Sequence, residues 1–584
     1  MGCATTKERK LFTGNHAIVR GAWEAGVTFA AGYPGTPATE IIEIAGEYDD
    51  IHAQWGANEK VAFDVAMGYA INGKRALVSM KYVGLNVAAD SFMVMPFGGT
   101  VGGFVIVSAD DPGMHSSQNE QDNRYFAKIA KMPMIEPSDA QEAKDYLKFA
   151  YEVSEQFSTP VLFRTSMRIN HTKCVVEMGE RQEFVPKTYE PDIPKWVVPV
   201  FAKSLRPRLD EKMERLAGFS ETFPLNRIEE GSGNIGVITS GISYQYAKEV
   251  FPDATFFKLA MTYPLPKQKI IDFCKRFDKV YVVEELEPFM EEQIRFWGVS
   301  NIIGKDVFPI TGELSVEVLE EVLHGIKPKT DYSSEFNIMP RPPQICAGCP
   351  HRGAFLALKK LKAFVTGDIG CYTLGCLPPM SAVHTVFCMG ASIGNAAGFE
   401  KAGRENVVAV IGDSTFVHGG IPSLIDVVYN GGKTTTVILD NRTTGMTGHQ
   451  DHPGTGRTVK NEEHYKLDLE KIVRAIGVEC VIKVDPYNMA ETTKGIKEAM
   501  EYPGPAVVIT TRPCIFQREE KARVKTPLSV VEDDCISCGA CTRIGCPALP
   551  SIKEGEKAKI DPISCVGCSV CTAFCSTGAI VPGK

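Results

Sequence analysis

Eight of the 18 cysteines fall in two runs, Cys535-x2-Cys538-x2-Cys541-x4-Cys546 and Cys565-x2-Cys568-x2-Cys571-x3-Cys575. Thiolates at this spacing hold [4Fe-4S] cubanes, three close cysteines on one cluster and the fourth, remote one crossing to the other. The expected sets are Cys535, Cys538, Cys541 and Cys575 for one cluster and Cys565, Cys568, Cys571 and Cys546 for its neighbour. Two departures are visible: the first run has one residue more than usual before its last cysteine, and the second ends in Cys575-Ser576 where proline is usual. A bulged loop with altered hydrogen bonding to the sulfurs, and ligation retained, is the expectation. The alternative is zinc, which takes paired Cys-x2-Cys units about 12 to 20 residues apart.

A second chemical pattern lies upstream. Gly412-Asp413-Ser414 follows the apolar run Val407 to Ile411, and Asp440-Asn441 follows Thr435 to Leu439, with Asp413 and Asn441 28 residues apart. A strand, a crossover helix and a return strand use about that length, so both side chains should emerge at the carboxyl ends of adjacent parallel strands. Hard oxygen donors there, completed by a backbone carbonyl such as that of Thr443, suit Mg²⁺ bridging two phosphates. The plainer alternative is that Asp413 caps a helix. The segment resembles the thiamine-diphosphate motif. That cofactor needs a carboxylate against its aminopyrimidine ring, because protonating the ring lets its exocyclic amine act as an internal base. Glu59, opening a stretch of small residues from Gly56 to Ala70, is the candidate; an ordinary first-turn Glu, favoured by the helix dipole, is the alternative. The Ala and Gly positions after Glu59 are expected to permit close approach of another domain.

These residues need α/β scaffolds with parallel sheets. Strand-like runs (Gly26 to Ala31, Arg75 to Ser79, Gly103 to Val107, Pro160 to Phe163) alternate with helical stretches such as Glu59 to Asn72, implying a parallel sheet wrapped by helices over residues 1–187. Residues 188–233 are rich in proline and charge and read as a linker with one helix at most. A small α/β domain with its own sheet follows over 234–330, then a Pro-rich connector, Met339-Pro340-Arg341-Pro342-Pro343, and a third α/β block over 344–520. The last block, 525–584, is too short to bury a large core and should be held by its metal.

Composition narrows the class. With 63 Lys+Arg against 71 Asp+Glu, a net charge of -8 and 44% hydrophobic residues, the chain is neither a disordered polymer nor a generic nucleic-acid binder. No run of about 18 apolar residues is present, and the first ten residues lack the apolar stretch of a secretory signal. A soluble, cytoplasmic protein is expected. Met1-Gly2-Cys3-Ala4-Thr5-Thr6 fits a loose myristoylation pattern too short to carry weight.

Tyr33-Pro34-Gly35-Thr36-Pro37, Asn58-Glu59, Cys346-Ala347-Gly348-Cys349-Pro350-His351, Gly367-Asp368-Ile369-Gly370-Cys371, the Asp413/Asn441 pair and the cysteine tail occur in one order. That ordered set resembles the 2-oxoacid:ferredoxin oxidoreductases, and within them the large-subunit layout that carries a pyrimidine-type thiamine domain, a small transketolase-C-terminal-like domain, a diphosphate-type domain and a double-cluster ferredoxin tail in one polypeptide. The resemblance covers almost the whole chain. It implies oxidative decarboxylation of an arylpyruvate, capture of the acyl group by coenzyme A, and delivery of two electrons singly through the clusters to an external ferredoxin; clusters of this type reach roughly -400 mV. It also implies a smaller partner subunit, hence a hetero-oligomer, and places Thr36 near cofactor and substrate carboxylate, although Pro34-Gly35 is also a local type II turn signal. Gly412, Ser414 and His351 join Asp413, Asn441 and Thr443 as cofactor-binding residues. Rival readings are a non-oxidative thiamine-dependent decarboxylase, a free-standing electron carrier, and a relative with another 2-oxoacid substrate.

Two assignments stay open. Cys346, Cys349, Cys371 and Cys514 resemble the ligands of a third cluster near the thiamine, with Cys376 as a substitute for Cys371; small buried thiols are the alternative. His115, in the loop Asp110 to Asn119, is placed to position substrate or relay a proton, or is a solvated loop histidine.

Overall fold

The computed structural model describes residues 8–327, 343–521 and 526–583. The myristoylation-like hexapeptide and most of the Pro-rich connector lie outside them. Two compact units emerge, Met1–Asn337 and Ile338–Lys584. Among the described residues no helix is long and apolar enough to cross a membrane.

The first unit is built on a seven-stranded sheet in the order Met261–Tyr263, Met134–Ile135, Val161–Ser166, Phe104–Asp110, Ala76–Lys81, Phe29–Gly32, His52–Trp55. All neighbours are parallel except the first pair. Central strands such as Phe104–Asp110 are buried along their whole length, as a parallel sheet covered on both faces requires. A second, five-stranded sheet runs Ile302–Ile303, Val280–Val283, Gly236–Ser240, Thr255–Leu259, Arg227–Glu229, its last strand antiparallel.

Three expectations change here. The stretch 188–233 carries a 22-residue helix, Pro199–Ser220, with Leu205, Leu209 and Leu216 buried, and the edge strand Arg227–Glu229. The small middle block is not confined to its own sheet, because Met261–Tyr263 pairs with Met134–Ile135 in the larger one. In the helix Glu59–Ile71, Ala62, Ala66 and Ala70 are fully buried in the unit's own core beside Ala31 and Val78. The alanines bring this helix down on its own sheet, and the outward face carries Val61 and Val65, 42% and 40% exposed, with Gly68 open beside them.

The second unit holds a five-stranded, all-parallel sheet in the order Phe364–Thr366, Val407–Gly412, Thr435–Asp440, Ala506–Thr511, Cys480–Val484. The cysteine tail adds only a two-stranded ribbon, Leu528–Val530 with Ile580–Pro582, and two 3-10 turns, Thr542–Ile544 and Val570–Phe574. The tail's apolar residues Leu528, Ile544, Leu549, Val570 and Ile580 are buried in one core with residues of the five-stranded sheet such as Val410 and Leu439.

Candidate active site

In the first unit, six parallel strands deliver their loops to one carboxyl edge, the place where ligands bind in such sheets. Glu59 starts its helix there, behind the cap Asn58, whose Oδ1 accepts the Val61 N–H at 2.9 Å. Its side chain is buried and stands against Gly84, where an added Cβ would lie 2.6 Å from Glu59 Cγ and 2.7 Å from Oε1. The Tyr33 to Pro37 loop turns differently from the expected type II turn. Gly35 has no positive φ; the turn runs from Gly35 to Ala38, closed by Ala38 N–H to Gly35 O at 2.8 Å, with a cis Thr36-Pro37 bond. Asn15 fixes it by donating to the Pro37 carbonyl at 2.8 Å.

The Asp110 to Asn119 loop is organised by Asp111. Its carboxylate accepts the N–H groups of His115 and Ser116 at 3.2 and 2.8 Å and the Ser117 hydroxyl at 2.5 Å. The His115 ring, 46% exposed, is engaged by Glu313 at 3.1 Å, and Glu313 is also gripped by Arg168. The structure thus ties His115 to the small middle block.

In the second unit, Gly412 pairs with Leu439, so Asp413 and Asn441 leave adjacent strands at the same edge. Both are buried, with Ser414, Thr443 and His351 beside them. Asp413 accepts the N–H groups of Ser414 and Arg442 at 2.8 and 2.7 Å. His351 opens the helix His351–Lys360 and places Nε2 3.4 Å from Asn441 Nδ2. Burial pushes its pKa down to about 4 against the pull of Asp413, so the ring is neutral in the physiological range. Immediately after Asp413 the helix widens into a π-turn, Phe416–Gly420, a distortion frequent at functional sites.

One neighbour of Asp413 escaped the sequence analysis. His452 brings Nε2 within 3.3 Å of Asp413 Oδ2, close enough for charge attraction though not aligned as a hydrogen bond. Burial works to raise the Asp413 pKa, but His452 and the two N–H groups prevail and hold it below its ordinary value. The adjacent Asp440 is pushed up to about 6 by burial and by the Asp413 charge. A compact group of carboxylate and amide oxygens at a strand edge is the donor chemistry that Mg²⁺ and a diphosphate demand, so the residues fit the expected group. Only the spatial neighbourhood reveals His452, which sits in a loop 39 residues after Asp413.

The tail cysteines sort into two cages. Cys535, Cys538, Cys541 and Cys575 line one small pocket with Ile536 and Phe574. Cys546, Cys565, Cys568 and Cys571 line another with Leu528 and Ile560. This is the crossed partition. The extra residue of the first run is absorbed by the 3-10 turn Thr542–Ile544 and by Gly545 at φ +66°.

A third group of thiols lies beside the Asn441 edge. The Cys514 N–H donates to Asn441 O at 2.9 Å. Cys371 Sγ lies 3.4 Å, and Asn441 Nδ2 3.7 Å, from where a Cβ on Gly445 would stand. Burial raises the pKa values of Cys349, Cys371 (to about 11) and Cys514, and nearby cysteine charges, Cys346 for all three and Cys514 for the first two, raise them further. Cys376, the substitute for Cys371, is exposed, as is Cys346.

Comparison with known proteins agrees with this geometry. The thiamine-diphosphate-binding model of pyruvate flavodoxin/ferredoxin oxidoreductases matches residues 20–206, and that of the C-terminal binding domain of thiamine pyrophosphate enzymes matches residues 368–510. Indolepyruvate oxidoreductase subunit IorA of Archaeoglobus fulgidus is 42% identical, over 99% of this chain and 98% of that protein. The chain belongs to the indolepyruvate oxidoreductase IorA family. The IorA proteins of Thermococcus kodakarensis (40% identical, 99% and 97% covered) and Methanothermobacter marburgensis (39%, 98% and 97%) match over equally full lengths. Membership in the IorA family makes this an oxidoreductase of the 2-oxoacid:ferredoxin class that binds thiamine diphosphate. The two matched thiamine segments contain the two strand edges described above, one in each unit.

Proposed function

We propose that the chain is the large subunit of an enzyme that oxidatively decarboxylates arylpyruvates, indolepyruvate foremost, to arylacetyl-coenzyme A and CO₂, and passes the electrons through [4Fe-4S] clusters to ferredoxin. The observation that carries the oxidative part is the grouping of Cys371 and Cys514 against Asn441. A non-oxidative decarboxylase has no use for thiols converging on its diphosphate edge. The arylpyruvate rests on kinship with proteins named for indolepyruvate, and a relative with a different 2-oxoacid is the second reading.

Asp413, Asn441 and the Thr443 carbonyl would hold Mg²⁺ and the diphosphate, with Gly412, Ser414 and His351 shaping the pocket. Glu59, buried at its helix start, would set its carboxyl against the aminopyrimidine ring. Thiamine diphosphate, when bound, supplies the electron sink for decarboxylation. Thr36 would face the substrate carboxylate. The two cysteine cages would each hold a cubane, and Cys346, Cys349, Cys371 and Cys514 a third. A smaller subunit completes the enzyme, and coenzyme A and ferredoxin are its co-substrates. The chain is thus partitioned into a pyrimidine-type domain over 1–187, the connecting stretch 188–233, a small α/β domain over 234–330, a diphosphate-type domain over 344–520 and a ferredoxin-type tail over 525–584.

Reconstitution with the small subunit, followed by ferredoxin reduction with a panel of 2-oxoacids and coenzyme A, tests this. Arylpyruvates should give the highest kcat/KM. Release of arylacetaldehyde without ferredoxin reduction would establish the decarboxylase instead, and a preference for an aliphatic 2-oxoacid would move the substrate.

A further inference from the structure

Three lysines are buried among the described residues: Lys81, Lys144 and Lys258. Lys144 holds Glu24 and Asp145, and Lys258 holds Glu142. Lys81 is 8% exposed, yet its one hydrogen-bond acceptor is the Ser116 carbonyl at 2.5 Å, and among the described residues no carboxylate stands within ion-pair distance of its ammonium. An ammonium has three donors, and burying it without a counter-charge is unfavourable. Burial accordingly pushes the Lys81 pKa down to about 8, with Asp111 opposing from farther off. A cation kept in such a place is best explained by an anion that comes and goes.

Its position says which anion. Lys81 ends the strand Ala76–Lys81 at the ligand edge of the sheet. Its stem lies against the turn before Thr36, where a Cβ on Gly35 would fall 2.9 Å from Lys81 Cβ. Three residues on, Gly84 stands against the Glu59 carboxylate. One short segment therefore connects the cation, the Thr36 loop and Glu59, and both contacts need glycine.

We propose that Lys81 is the positively charged receptor for the carboxylate of the 2-oxoacid substrate. The proposal rests on the 2-oxoacid reading of the site and adds a residue to it. By supplying the counter-charge, Lys81 would select 2-oxo acids over the corresponding aldehydes and alcohols and orient the keto carbon by holding the group next to it.

The test uses the holoenzyme with its small subunit and two inhibitors that cannot react, 3-(indol-3-yl)propionate and the uncharged 3-(indol-3-yl)propan-1-ol, each competed against arylpyruvate. Lys81→Gln keeps an N–H for the Ser116 carbonyl but removes the charge. It should raise the Ki of the acid about 30-fold, the value of one charge-assisted contact, and change that of the alcohol by less than about threefold. Lys81→Arg should restore much of the acid affinity. If Lys81→Gln does not assemble with the small subunit, Lys81→Met takes its place. Equal losses for acid and alcohol would show that Lys81 merely supports the 110–119 loop, and unchanged Ki values would show that it does not face substrate; either overturns the proposal while leaving the 2-oxoacid reading intact. A wild-type enzyme that reduces ferredoxin with no 2-oxoacid would instead remove that reading, and Lys81's role with it.

Discussion

Cys349, from the loop ahead of the helix His351–Lys360, and Cys568, from the tail more than 200 residues later, line the same cavity. Arg352 fastens the two segments, donating to Ile544 O and Gly545 O, both at 2.7 Å, and to Ile345 O and Cys346 O at 2.8 and 3.1 Å. The thiol group beside Asn441 and the cage of Cys546, Cys565, Cys568 and Cys571 are therefore in direct contact through Cys349.

This contact makes iron content decisive. Three cubanes correspond to about 12 Fe per chain. Cys371→Ala, which touches only the group near Asn441, should lower that by about four and leave the electron paramagnetic resonance of the two tail clusters unchanged. Cys349→Ala should lose the same iron and also perturb the neighbouring tail cluster. A fully loaded protein with about 8 Fe, unaltered by either change, would leave the third group as plain buried thiols.

Gly84 gives a way to move Glu59 without replacing it. A methyl group 2.6 Å from Glu59 Cγ cannot be accommodated in place, so Gly84→Ala should displace the carboxylate. Glu59→Gln should slow turnover by roughly 10²-fold, the usual size of an acid-base contribution, and Gly84→Ala should approach it. Both should still bind thiamine diphosphate, whereas Asp413→Ala should lose cofactor and Mg²⁺ together. Exchange of the thiazolium C2 proton, followed by NMR, checks the first two and calorimetric titration the third. Normal exchange in Gly84→Ala would mean that Glu59 is not held at the working position.

Much of this was readable in the chain because the signals are local. The apolar runs around Val407 and Thr435 and the spacing between Asp413 and Asn441 define a strand edge unaided. What escaped depends on pairing across the sequence. Met261–Tyr263 is too short to announce a strand and exists because Met134–Ile135 offers it an edge. Pro207 disguises the helix Pro199–Ser220, since a mid-helix proline costs about 3 kcal/mol; burial of Leu205, Leu209 and Leu216 offsets it. The alanines after Glu59 have helical periodicity, but periodicity does not say whether the partner is the chain's own sheet or another surface. His452 and Lys81 carry no motif; each becomes informative only through the charge beside it or missing from it.

The longer first cysteine run leads to a prediction at Gly545. Its φ of +66° is a left-handed conformation costing other residues about 1 to 2 kcal/mol, and an added Cβ would lie 2.8 Å from Pro379 Cγ. Gly545→Ala should distort the loop between Cys541 and Cys546, which serve different cages. Iron release to a mild chelator should accelerate and the tail should melt at lower temperature, with the Asn441-side group spared. Unchanged iron retention would show that the extra residue is tolerated elsewhere in the loop.

Glu285 provides a pH-dependent test of the first unit's buried charges. Its carboxyl is fully buried; burial, reinforced by Glu313 and opposed by Arg164, pushes its pKa up to about 7. Unfolded, it would titrate near the ordinary value of about 4.3. Between those values the folded state binds the extra proton, so its contribution to stability falls as pH rises through that window and the full penalty is present above about 7. Glu285→Gln keeps an acceptor for the Leu314 N–H, which Glu285 accepts at 3.3 Å, and has nothing to ionise. The variant should match the wild type near pH 5 and exceed it at pH 8 by on the order of 1 to 3 kcal/mol, seen as a rise of a few degrees in the melting of this unit. Asp110, pushed up to about 6 by burial, titrates in the same direction in both proteins and cancels from the difference. A gain that is the same at both pH values would mean that Glu285 stays charged in the folded protein, held so by Arg164.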